Sequence, residues 1–142
     1  MHRLVLALPF RPLALTACPT TLEPPSAGEV VICDGDLCTV TGPILVDTTF
    51  TADKRWVLKG GVFVGDDADP AAAPTTLTIE PGTTIFGDTA TLSFLLITRG
   101  SRILAEGTRD APIVFTCAAD EGSRARGQWS GIVVNGRAAV IR

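Results

Sequence analysis

Histidine is almost missing from this chain of 142 residues: His2 alone carries an imidazole. It lies in a segment that reads as a removable leader, so no histidine-based triad or metal site is expected in the mature chain. Tyrosine is absent, and lysine is confined to Lys54 and Lys59. The net charge of −3 gives no electrostatic case for nucleic acid. No run reaches the ~20 apolar residues of a membrane-spanning helix. There is no glycine-rich phosphate loop and no serine nucleophile elbow. What is plentiful is glycine (14) and proline (10), which disfavour long helices and suit short strands and turns. Apolar residues make up 46%, enough for the core of one domain.

A short pattern occurs twice between Leu77 and Gly107. Ile79, Gly82 and Ile85 match Ile97, Gly100 and Ile103, so Ile-x-x-Gly-x-x-Ile returns 18 residues later. A degenerate copy, Leu58-x-x-Gly61-x-x-Val64, precedes them. Each half is too short for a helix, and Leu77-Thr78-Ile79 and Thr83-Thr84-Ile85 favour strand. The central glycine supplies a bend, so each unit reads as strand, tight bend, strand. The fixed period predicts a chain that advances and stacks like on like: an all-β parallel β-helix of a few coils. One coil cannot stand alone. A buried Ile contributes roughly 1.5–3 kcal/mol, and ordering each residue costs roughly 1–2 kcal/mol.

The chain divides into four stretches. Residues 1–17 read as a signal peptide, with His2 and Arg3 ahead of Leu4-Val5-Leu6-Ala7-Leu8, although Pro9, Arg11 and Pro12 interrupt its apolar part. Leu15-Thr16-Ala17-Cys18 resembles the lipobox of bacterial lipoproteins, which implies lipidation of Cys18 and a membrane partner through that anchor. Residues 18–29 carry little that can be buried and read as a flexible tether. Residues 30–76 are expected to form an N-terminal cap and a first degenerate coil. Residues 77–142 are expected to hold the regular coils.

Within the cap, Cys33 and Cys38 flank the turn-rich Asp34-Gly35-Asp36-Leu37, which in an exported chain points to a local disulfide. A metal site there is the weaker reading. Zinc takes four ligands and calcium six to eight oxygens, and Asp34 and Asp36 fall short of both. No metal or cofactor is expected. The stretch Asp47 to Lys54 reads as loop, as does the acidic Asp66 to Pro74. Beyond the repeat, Ile113 to Thr116 and Trp129 to Val134 read as strands around a polar excursion from Cys117 to Gly127.

Ile79-Glu80-Pro81-Gly82-Thr83-Thr84-Ile85, Pro112-Ile113-Val114-Phe115-Thr116 and Trp129-Ser130-Gly131-Ile132 together resemble the opening coils of bacterial exported and outer-membrane β-helix proteins. Their architecture is the right-handed, pectate-lyase-like parallel β-helix. The resemblance spans roughly Leu77 to Gly136 and runs to the last few residues of this chain, whereas members of the family are usually much longer. It therefore implies a truncated member, with uncovered strand edges and with Cys117 left unpaired.

The resemblance implies a non-catalytic cell-envelope scaffold or surface-binding protein, adhesive in one version, exported to the outer membrane or cell surface. Glycans or other surface proteins would be its partners. The alternatives are a polysaccharide-lyase-like remnant and a gene fragment without independent function. Lyases of this architecture use aspartates for calcium and an arginine base on one outward face. Here Arg99, Arg102 and Glu106 are the nearest candidates, and a lyase predicts them clustered with carboxylates where a scaffold predicts dispersed charge.

Overall fold

The computed structural model describes residues 30–66 and 72–136. Among these there are ten strands and no helix. They are β1 (Val31–Asp34), β2 (Leu37–Ile44), β3 (Thr48–Phe50), β4 (Arg55–Val64), β5 (Thr76–Ile79), β6 (Thr84–Gly87), β7 (Phe94–Ile97), β8 (Arg102–Ala105), β9 (Val114–Cys117) and β10 (Ile132–Val134). β1 runs antiparallel to β2, and every other pairing is parallel.

The parallel pairings fall into three ladders. The first joins the front of β2 to the front of β4, then β6, then β9. The second joins the back of β2 to the back of β4, then β7, then β10. The third joins β3, β5 and β8. The chain visits the three ladders in the same order each time. Because β2 and β4 run through the first corner without a break, the first two ladders form one seven-stranded sheet beside a three-stranded one.

Alternation of side chains across each strand sends one set inward. Val40, Phe50, Leu58, Val62, Val64, Leu77, Ile79, Ile85, Leu95 and Ile97 are all buried in a single cluster drawn from both sheets. Cys38, Trp56, Ile85 and Phe115 stand at the same level of successive rungs. The rings of Phe50 and Trp56 stack at 4.1 Å, and the Trp56 indole N–H donates to the Thr51 carbonyl at 2.9 Å. The few buried hydroxyls are all used. Thr83 donates to the Glu80 carbonyl at 2.7 Å, Thr98 to Val64 at 2.6 Å and Ser93 to Asp88 at 2.8 Å.

The 18-residue period is not the period of stacking. Ile79 pairs with Phe50 and Ala105, not with Ile97, and Ile97 pairs with Val64 and Val134. Arg55 pairs with Thr84 and Thr84 with Val114, about 30 residues on each time, whereas the first return, from Leu37 to Arg55, is shorter, so the rungs are unevenly spaced. The three copies of the pattern are three different corners. Leu58 to Val64 turns from the first ladder to the second, Ile97 to Ile103 from the second to the third, and Ile79 to Ile85 from the third back to the first. The pattern recurs because each corner needs the same thing: an inward apolar residue on either side of a backbone turn. Gly82 and Gly100 take positive φ at their corners. At the first corner that role belongs to Gly60 (φ 69), not to its neighbour Gly61.

One stretch read as loop is partly strand. Within Asp47 to Lys54, Thr48–Phe50 forms β3, because fully buried Phe50 anchors it and the two threonines suit the pleat. The polar side chains on either side hid a three-residue strand from a pattern search.

Candidate functional site

The outer side of the second ladder departs from what a wet face requires. A half-buried strand alternates apolar with polar residues. Here Gly42-Pro43-Ile44, Gly61-Val62-Phe63-Val64, Phe94-Leu95-Leu96-Ile97 and Ile132-Val133-Val134 contain no charged, amide or hydroxyl side chain. Pro43, Phe63, Leu96 and Val133 occupy one level of four successive rungs and point outward. Phe63 is 37% and Val133 45% exposed. Beside them the rings of Phe63 and Phe94 meet edge to face at 5.5 Å. Gly61 makes that contact possible: a Cβ there would stand 2.7 Å from the Phe94 ring tip. The outer sides of the other ladders are mixed. The first carries Arg55 with its guanidinium 5.0 Å from the centre of the Phe86 ring, and the third carries Thr49, Thr76, Thr78 and Arg102.

A second concavity lies where the chain leaves β9. A cleft of about 540 Å³ is lined by Phe115, Cys117, Arg124, Arg126, Gln128 and Trp129, among others. Gln128 organises it. Its amide oxygen accepts from the Cys117 thiol at 3.0 Å and from the Ala125 N–H at 2.7 Å, and its amide nitrogen donates to the Ser123 carbonyl at 3.2 Å. Trp129 lies parallel to Phe115 with centroids 6.3 Å apart. Its Cβ fills the space that a side chain at Gly87 would take.

The charged candidates do not converge. Arg102 pairs in register with Thr76 on the outer side of the third ladder. Arg99 and Glu106 are exposed beyond the ends of β7 and β8. Glu80 and Glu106 share a shallow groove of about 340 Å³ with Thr78, Pro81 and Leu104, but Glu80 is engaged in accepting from the Ala52 N–H at 3.0 Å. Among the described residues no three His, Cys, Asp or Glu side chains are grouped to hold a metal ion. Among the described residues two carboxyls have pKa values lowered below 3.8. For Asp88 the largest cause is the hydrogen bond from the Thr91 side chain, and for Asp53 it is that from Thr51. Both serve turns. The Asp88 carboxylate accepts from the Thr91 N–H and hydroxyl, and the Thr91 hydroxyl oxygen in turn accepts from the Gly60 N–H of the neighbouring corner.

Cys33 and Cys38 face each other across the β1–β2 hairpin and form the disulfide. Cys117 is the free, buried cysteine of the described residues. Cys18, the leader and the tether lie outside the described residues, as do residues 67–71 of the acidic loop. The repeat residues flank corners; Leu58, Val64, Ile79, Ile85 and Ile97 are buried, and Ile103 is half-buried. The sequence reading passed over Phe63, Phe94 and Leu96. Their signal was present: strands apolar at every position, where half-buried strands alternate.

The family described as a pectate-lyase-like β-helix domain matches residues 42–142, well over half of the chain. No curated protein and no solved structure matches it.

Proposed function

The chain belongs to the pectate-lyase-like β-helix family, and from that premise we propose that it is a non-catalytic, surface-binding scaffold of the cell envelope. In this reading the three ladders are the sides of a right-handed parallel β-helix, since crossovers between parallel strands take that hand. The observation that carries the binding role is the uncharged outer side of the second ladder. Contiguous apolar surface on a folded protein marks a contact with something else. Its lack of charge fits the apolar faces of neutral glycan rings or the apolar surface of another envelope protein. The anchor is Cys18, through the lipobox that Leu15-Thr16-Ala17-Cys18 resembles.

Binding of the purified chain to envelope fragments tests the role. Phe63→Ser removes an aromatic ring that stands outside the core, so the fold is retained and binding falls on the order of tenfold, as for an exposed aromatic anchor. Unchanged binding in a folded Phe63→Ser variant removes the second ladder from the account.

A second reading, a carbohydrate-active remnant, draws on the cleft after β9. Arg124 and Arg126 beside the stacked Phe115 and Trp129 are chemistry suited to an acidic sugar. The cleft supplies arginines but no carboxylate among its lining residues to hold a calcium ion beside them, which is why we rank it second.

A further inference from the structure

We propose that the Cys33–Cys38 hairpin is a redox-operated latch that closes the outer edge of β2. β1 is the terminal strand of the seven-stranded sheet and covers that edge from Leu37 to Val40. An uncovered edge would offer its N–H and C=O groups to any passing strand. β1 is the single antiparallel strand among the ten, so it is laid on by a hairpin and not by another passage of the chain through the ladder.

β1 is weakly held by packing. Ile32, Cys33 and Asp34 are exposed, and Val31 is half-buried. The polar ties of this region grip the hairpin tip. The Lys54 ammonium donates to the Gly35 carbonyl at 3.2 Å, and the Arg55 N–H donates to the Asp36 carbonyl at 2.7 Å. Upstream of the tip, β1 is held by its ladder with β2, the Thr41 N–H to the Val30 carbonyl at 2.8 Å, the Val30–Val31 contacts with the core, and the disulfide. A four-residue terminal strand with three exposed residues contributes little packing of its own, so it belongs to the part of the sheet that opens first. The disulfide joins residues 33 and 38 directly across the pairing and keeps the two strands together when the ladder opens.

The step is an ordinary thiol–disulfide exchange with a dithiol. One thiolate attacks a sulfur of the Cys33–Cys38 bond, the second resolves the mixed disulfide, and two electrons and two protons pass to Cys33 and Cys38. The dithiol leaves as its own disulfide. β1 then opens locally and bares β2, while the other ladders keep their partners. The device ties the sealed edge to an oxidising surrounding. It does not depend on what the outer side of the second ladder binds.

Hydrogen exchange on the full chain, oxidised and then reduced with dithiothreitol, tests this. Reduction is expected to speed exchange of residues 31–41 on the order of 10- to 100-fold, the effect of losing a cross-link that closes a short loop. The amides of β6 and β7 are expected to hold their rates. The variant Cys33→Ser with Cys38→Ser should match the reduced protein, and Cys117→Ser should match the oxidised one. Exchange of residues 31–41 that stays within about twofold on reduction overturns the latch, because β1 would then be held without the bond. Equal acceleration in every strand also overturns it, because the disulfide would then brace the whole fold.

Discussion

At the first corner two adjacent glycines do different work, and the sequence pattern chose the wrong one for the bend. Leu58-x-x-Gly61-x-x-Val64 fits the other two copies by spacing, yet the positive φ sits on Gly60, and Gly61 makes room for Phe94. Spacing reports where a turn must fall. It does not report which of two neighbours turns, because both lack a Cβ. Charge at single residues gives a sharper statement. Asp88 holds the corner after β6 through Thr91, and its folded pKa lies below 3.8. A depressed carboxyl contributes stability above its unfolded pKa and loses it as pH falls through the folded value. Asp88→Asn should therefore lower stability at neutral pH by less than about 1 kcal/mol, as befits a solvent-facing turn bond. As pH falls below about 4 and through the folded value the gap to wild type should close, as followed by denaturant midpoints at each pH. A gap that widens toward acid would contradict the assignment.

At the scale of elements, the strands around Ile79, Ile85, Ile97 and Ile103 were legible because each puts an inward apolar residue beside a glycine corner. β3 was not, because Thr48–Phe50 is short and set among polar residues, and only burial of Phe50 reveals it. The spacing of the rungs was also illegible. Loops of unequal length follow each strand: two residues part β1 from β2, whereas the long excursion from Ala118 to Gly131 parts β9 from β10. That excursion packs back on β6 and β9 through Trp129, which occupies the space above Gly87. Gly87 needs no unusual φ, so Gly87→Ala acts only by contact: its new Cβ would lie 2.6 Å from the Trp129 Cβ. Displacing Trp129 should loosen the loop and raise thiol labelling of Cys117 by about tenfold, with the far corners unaffected. Labelling at the wild-type rate would show that Trp129 does not hold the cleft closed.

For the molecule as a whole, the all-β class, the parallel pairing and the hairpin disulfide could be read from residues, because strand pattern, corner glycines and paired cysteines are local signals. The proposed binding face could not be placed, because a face exists only once four distant segments share a ladder. Pro43, Phe63, Leu96 and Val133 are far apart in the chain and stand at one level of consecutive rungs. The proposed anchor belongs to this scale too. Expression in a Gram-negative host should give a membrane-bound chain whose intact mass carries lipid on Cys18, and Cys18→Ala should abolish both. A full-length chain without lipid in the cytosol would overturn the anchor.

In the proposed reading the protein meets its surface through the second ladder. Side-chain carbene footprinting of the chain on envelope fragments, read against the free chain, tests it most directly. Labelling is expected to fall at Pro43, Phe63, Leu96 and Val133 and to hold at Arg124, Arg126 and Trp129. Protection of the arginine-lined cleft, with Phe63 and Leu96 labelled as in the free protein, would contradict it and favour the carbohydrate-active reading.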